Sequence, residues 1–126
     1  MQNKRVVVTG LGAVTPIGLN VNEFWDGLIS GKNGVAPITY FDASRFDTKF
    51  AAEVKNFNPD NYFDKKSVKR LDRFSQFAIA SSVQAIEDSN INLDKMDKNR
   101  AGVIYGSGIG GLQTLQNEHW KYFQDK

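Results

Sequence analysis

Arg5-Val6-Val7-Val8-Thr9-Gly10-Leu11-Gly12-Ala13-Val14-Thr15-Pro16-Ile17-Gly18 is the stretch that decides the fold class. A β-branched run stopped by glycine reads as a buried strand, because a strand covered on both faces is apolar without alternation. A glycine loop follows it, then a helix. Val21, Phe24, Trp25, Leu28 and Ile29 recur at i, i+3, i+4, i+7 and i+8 and make one apolar stripe. Asn20 supplies an N-cap, Glu23 is expected to reach back to the Asn20 amide, and Gly31 and Gly34 end the helix. The same order returns near the other end. Ala101-Gly102-Val103-Ile104-Tyr105 reads as a second buried strand, Gly106-Ser107-Gly108-Ile109-Gly110-Gly111 as its loop, and a helix starts at about Leu112. Apolar strands, glycine loops and helices in alternation predict an α/β protein.

Between these units lie an aromatic-rich excursion and a long helix. Residues 35–63 carry Tyr40, Phe41, Phe46, Phe50, Phe57, Tyr62 and Phe63, rings expected to anchor the segment, with a short strand over Phe50–Val54. A helix is predicted from about Lys66 to Asp88. Its second half, Phe77-Ala78-Ile79-Ala80-Ser81-Ser82-Val83, is apolar or small all round and so expected to be buried. Ser75, Ala78 and Ser82 are small enough to admit another backbone. Two buried strands and one short one are few, since a sheet averages about five or six. The last helix has no returning strand. The 126 residues are therefore expected to be one partial domain, 1–126, the first part of a larger one.

Composition removes several chemistries. With 40% hydrophobic and 24% charged residues the chain is globular rather than disordered, and its length suffices for a core. No run approaches the roughly 18 apolar residues of a membrane span. The start, Met1-Gln2-Asn3-Lys4-Arg5, carries no apolar leader core. Cysteine is absent, which removes disulfides, thiolate metal sites and a cysteine nucleophile. The single histidine, His119, excludes a histidine-cluster metal site and leaves little room for a Ser-His-Asp set. A net charge of +2 is too weak by itself to argue for nucleic acid.

The glycine loops invite nucleotide readings. Gly10 and Gly12 fit the dinucleotide fingerprint, but Thr15 stands where its third glycine belongs and Pro16 blocks the helix start. Gly27-Leu28-Ile29-Ser30-Gly31-Lys32 is one residue short of a P-loop, and Asn33 replaces the required hydroxyl. Gly106, Gly108 and Gly111 do match G-x-G-x-x-G. Two readings stand there: glycines that let the backbone turn and pack, or a nucleotide site.

Lys65, Lys66, Lys69, Arg70 and Arg73 crowd one short stretch with Asp72 as its only acid. Lys66, Lys69, Arg70 and Arg73 share a helical face. One reading is a solvated face. The other is a surface for an anionic partner. On a single long helix these cations would sit at the positive end of the dipole, against preference, and would attract anions.

Together these segments resemble the opening of β-ketoacyl-[acyl-carrier-protein] synthases. The resemblance rests on Val6 through Gly18, Phe24-Trp25, Gly31-Lys32-Asn33-Gly34, Phe41-Asp42, Thr48-Lys49-Phe50-Ala51 and the Gly106–Gly111 loop, in order and spacing from end to end. It is nearest the synthase II type. It implies a thiolase-like layered αβαβα fold, of which this chain carries the first part of the N-terminal half, and usually a homodimer. It also implies a decarboxylative Claisen condensation of acyl and malonyl groups. These are carried on the phosphopantetheine of acyl carrier protein, with no further cofactor and no metal. The family's catalytic cysteine and two histidines have no counterpart here, and His119 matches none of them. The chain alone is therefore expected to be inactive. By resemblance Lys66, Lys69 and Arg70 dock the acidic carrier protein, and Gly108 and Ile109 line the deep end of the acyl pocket. By its own residues Ile109 reads as a core isoleucine, as apolar loop residues usually are. The resemblance further implies a cytoplasmic enzyme that meets neither nucleic acid nor membrane. A chain-length-factor-like subunit without the cysteine, and an unrelated nucleotide-binding protein using Gly106, Gly108 and Gly111, are the alternatives.

Overall fold

Asn20 opens the first helix, α1 (Val21–Ile29), in the computed structural model, which describes residues 4–124. Its side-chain oxygen accepts from Glu23 N at 2.9 Å. Glu23 reaches one residue further back than expected, accepting from the Leu19 amide and from Asn20 Nδ2, both at 2.8 Å. At the other end Gly31 N donates to Leu28 O and Lys32 N to Gly27 O, the paired bonds that close a helix terminus around a glycine. There follow β1 (Ala36–Pro37), β2 (Phe50–Ala51), α2 (Lys65–Arg70), α3 (Arg73–Ser89) and α4 (Leu112–Gln124), with 3₁₀ turns at Pro59–Asn61 and Lys98–Arg100. The first three residues, where the reading for a leader begins, lie outside the described residues.

Neither expected buried strand forms. Residues 5–9 and 101–105 have no strand partner among the described residues, and Val6 and Ile104 are 93% and 100% exposed. A strand exists only where a neighbour takes its amides and carbonyls and where something covers its faces. Among the described residues the one sheet is a two-stranded antiparallel pair, Ala36 opposite Ala51 and Pro37 opposite Phe50, beside an isolated bridge between Thr15 and Gly18. The strand expected over Phe50–Val54 is thus two residues long. The core is correspondingly thin: among the described residues no large side chain is fully buried, and Ala80 is the wholly enclosed one.

The long basic helix is two helices. Leu71, at φ −100° and ψ 127°, ends α2, and α3 begins two residues later. Gln76 Nε2 donates to Val68 O at 3.2 Å and Leu71 O at 2.9 Å, so the carbonyls released by the break find a partner.

The backbone divides into two compact units. One holds the residues up to Asn58 together with Ser81–Ile91, and the other holds Pro59–Ala80 with the residues from Asn92 onward. In the first, the glycine loop lies on the C-terminal half of α3. A Cβ on Gly12 would stand 1.9 Å from Ser81 O, and one on Gly10 would stand 2.1 Å from Ala85 O. Gln84 clamps the same loop, accepting from Ala13 N at 3.1 Å and donating to Leu19 O at 2.8 Å, while Asp88 accepts from Leu11 N at 2.8 Å. This close approach runs along Ser81, Ala85 and Ser89. Of the α1 stripe, Trp25, Leu28 and Ile29 are exposed, and α1 meets Ile17 through its one buried residue, Gly27.

The aromatic excursion is anchored less by rings than by a carboxylate. Phe57 is buried, but Tyr40, Phe41, Phe46 and Phe50 are exposed. Glu53 is buried and accepts from Thr39 Oγ1 at 2.6 Å, Thr39 N at 2.8 Å and Tyr40 N at 3.3 Å. Hydrogen bonds from the Thr39 side chain and then its amide hold the Glu53 carboxyl below the ordinary glutamate range.

Candidate functional site

Both sets of candidate residues lie in the second unit. Asp64 caps α2, accepting from Lys66 N at 2.8 Å, Ser67 N at 2.9 Å and Ser67 Oγ at 2.8 Å. These bonds, that from the Ser67 amide foremost, draw the Asp64 carboxyl below its usual range. The acid preceding the cluster is thus committed to the helix start. Lys65, Lys66, Lys69 and Arg70 are exposed, and no ion pair joins Lys66, Lys69 or Arg70 to an acid among the described residues.

The break at Leu71 changes the electrostatic argument. Lys69 and Arg70 lie in the last turn of α2, where cations suit the dipole, rather than at the positive end of a long helix. Their concentration comes from sequence spacing on a short helix, without help from a helix N-terminus. Arg73 belongs to α3, where its guanidinium stands 5.0 Å from the centre of the Phe77 ring.

The second glycine loop splits in function. Open space surrounds Gly106 and Gly108. A Cβ on Gly110 would meet the Phe74 ring at 2.6 Å, so that half-exposed ring would have to turn aside. Gly111 has φ +71° and lies beside Asp72, and its carbonyl accepts the first bond of α4 from Leu115 N at 2.9 Å. Thr114 Oγ1 donates to Asp72 Oδ1, which ties α4 to the turn between α2 and α3. Ile109 projects with 77% exposure. The dinucleotide reading needs a strand running into this loop, and residues 101–105 do not supply one.

One arrangement was not legible beforehand. Lys69 of α2 faces an open cleft of about 500 Å³ whose other lining residues, Thr114, Asn117, Glu118, Trp120 and Lys121, all come from α4. His119 is exposed on α4, 4.6 Å from the Phe123 ring between centres. Among the described residues no group of three or more His, Asp or Glu could hold a metal ion, and no helix is long and apolar enough to cross a membrane.

The sequence pattern of the β-ketoacyl synthase N-terminal domain matches residues 3–125. The chain belongs to the β-ketoacyl synthase family. It is 47% identical over 118 residues to a 3-oxoacyl-[acyl-carrier-protein] synthase 2 of Synechocystis, covering 94% of this chain and 28% of that protein. A protein of the same name from Staphylococcus aureus strain COL is 42% identical over 125 residues, covering 99% of this chain and 30% of the relative. The chain thus spans under a third of the length of these relatives. Among solved structures it resembles a β-ketoacyl synthase from Burkholderia phymatum, with a TM-score of 0.75 and 27% identity over 98% of this chain and 31% of that one. It also resembles the ishigamide ketosynthase/chain length factor, at TM-score 0.64 and 33% identity over 71% of this chain and 22% of that one.

The fold class is accordingly α/β and thiolase-like, and this β-ketoacyl synthase segment carries part of the N-terminal domain. The nucleotide-binding alternative for Gly106, Gly108 and Gly111 falls with that membership. In this synthase segment the first glycines serve packing against α3, and Gly111 serves the entry to α4.

Proposed function

We propose that these residues form part of a β-ketoacyl-[acyl-carrier-protein] synthase of type II, an acyltransferase that elongates fatty acids. The observation that carries the reading is 42–47% identity across nearly the whole chain to proteins named 3-oxoacyl-[acyl-carrier-protein] synthase 2. In the proposed reaction a cysteine thiolate takes an acyl group from acyl carrier protein and releases the carrier thiol. Malonyl carrier protein then loses CO₂. Its carbanion forms the new C–C bond at the thioester carbonyl and expels the cysteine thiolate. Two histidines hold the developing negative charge. The cysteine and histidines would come from residues outside these 126, which form a partial N-terminal domain and would be inactive alone. No metal or resident cofactor enters, since the substrates ride on phosphopantetheine.

Within that reading Lys66, Lys69 and Arg70 dock the acidic carrier protein, and Gly108 and Ile109 line the acyl pocket. Support for the docking role is the cluster of exposed cations whose flanking acids are bonded elsewhere, Asp64 to the start of α2 and Asp72 to Thr114. A homodimer and a cytoplasmic location go with the reading.

A second reading is a chain-length-factor-like subunit, since the ishigamide ketosynthase/chain length factor, 33% identical over 71% of this chain, is named for a chain length factor as well as for a ketosynthase. One assay separates them. A synthase polypeptide carrying this chain is given acyl carrier protein loaded with acyl and malonyl groups. The type II reading expects a 3-oxoacyl carrier protein two carbons longer. Absence of condensation from the purified polypeptide alone, with activity restored by a separate ketosynthase subunit, supports the second reading.

A further inference from the structure

We infer that the carrier-docking surface has a second wall, the α4 face formed by Thr114, Asn117, Glu118 and Lys121, which closes a cleft with Lys69 for an acidic helix of the carrier protein. This inference rests on the docking role proposed for Lys66, Lys69 and Arg70. Those four α4 residues fall at i, i+3, i+4 and i+7, so one side of the helix meets the cleft. The hydrogen bond from Thr114 to Asp72 fixes that side next to the end of α2.

The cleft is built to donate. Lys69 contributes an ammonium. Gln113 Nε2 occupies the Asn117 side-chain oxygen at 3.1 Å, leaving the Asn117 amide hydrogens as its free end. Lys121 gives one contact to Glu118 at 2.6 Å and keeps donors in hand, because an ammonium carries three. Glu118 is the single acid on the lining, and Trp120 adds an aromatic wall. A carboxylate side chain with an apolar neighbour complements that set. Because an acidic helix presents both at helical spacing, charge complementarity selects it as the occupant.

The test measures binding of holo acyl carrier protein to a synthase polypeptide carrying this chain, at low salt, by surface plasmon resonance. Lys121→Gln removes a cleft cation and should weaken binding about two- to fivefold. Glu118→Gln removes the cleft acid and should tighten it by a similar factor. A folding defect weakens both variants, so opposite signs identify the cleft. Triple reversal of Lys66, Lys69 and Arg70 to Glu serves as the reference. If the reversal weakens binding while Lys121→Gln and Glu118→Gln change nothing, or change it in the same direction, the second wall is wrong and the docking role stands. An unchanged affinity in the triple variant removes the docking role and this inference with it. Opposite shifts seen with anionic lipid vesicles, and not with the carrier, would overturn the protein occupant.

Discussion

The backbone of Gly12 lies directly on the carbonyl of Ser81, so closely that a Cβ on Gly12 would stand 1.9 Å from that oxygen. The glycine that suggests a phosphate loop is therefore a packing residue. It lets the segment after the first apolar run settle on α3, where Gln84 and Asp88 clamp Leu11, Ala13 and Leu19.

Gly12→Ala should destabilise a synthase polypeptide carrying this chain by about 3 kcal/mol, the upper part of the range for overpacking. Adding Ser81→Ala should not rescue it, because the obstructing atom is the Ser81 backbone oxygen. Urea unfolding of wild type, single and double variants decides the matter. Recovery in the double variant would mean that side-chain bulk, rather than the backbone, sets the distance.

Glu53 gives the fold a pH dependence of definite sign. Hydrogen bonds from Thr39, and from the Tyr40 amide, stabilise its ionised form and lower its pKa in the folded state. A lowered folded pKa means that the unfolded chain takes up the proton first as the medium is acidified. The contribution is therefore complete above the ordinary glutamate pKa of about 4.3 and is lost as pH falls through the lower folded value. Glu53→Gln should be less stable than wild type at pH 7, and the gap should close below about pH 4. A gap that stays constant from pH 7 to pH 3 would assign the effect to packing.

What the sequence disclosed follows from which features are local. The α1 cap at Asn20, the stop at Gly31 and the start of α4 at Leu112 are set by residues a few positions apart, and each is found near where its pattern lies. The strands at 5–9 and 101–105 depend on partners remote in sequence, and their composition says nothing of whether those partners are present. The break at Leu71 was invisible for a related reason. Val68, Leu71, Ser75 and Gln76 keep helical spacing, while Gln76 satisfies the carbonyls of the interruption from outside α2. The docking cations were legible as a cluster. Their meeting with α4 was not, because a Thr114–Asp72 contact spans 42 positions.

The proposed docking surface predicts a salt response that changes with its charge. Exposed cations steer an acidic partner, and at about 0.15 M salt their reach shrinks to roughly 8 Å. Carrier-protein association with the wild-type surface should slow as salt is raised. With Lys66, Lys69 and Arg70 reversed to Glu, association should be slower throughout and should quicken with salt, as repulsion is screened. Stopped-flow association rates across a salt series give both slopes. Identical slopes would leave the cluster a solvated face.

The proposed acyl pocket makes its sharpest demand on Ile109. It is the bulky side chain among Gly106, Ser107, Gly108, Gly110 and Gly111, and it projects from the loop with 77% exposure in this chain. Open space around Gly106 and Gly108 leaves that side chain uncrowded by its own loop. A wall that receives the end of an alkyl chain contributes about 0.8 kcal/mol for each methylene it helps to bury. Enlarging the wall acts on the last carbons and on nothing nearer the thioester. Ile109→Phe in a synthase polypeptide carrying this chain should therefore keep condensation of short acyl groups and lose that of long ones. The readout is kcat/KM across a series of acyl carrier proteins differing by two carbons, which should fall away beyond one length. An equal loss at every length would make Ile109 a packing residue, since a general defect of folding or of carrier docking does not measure the chain.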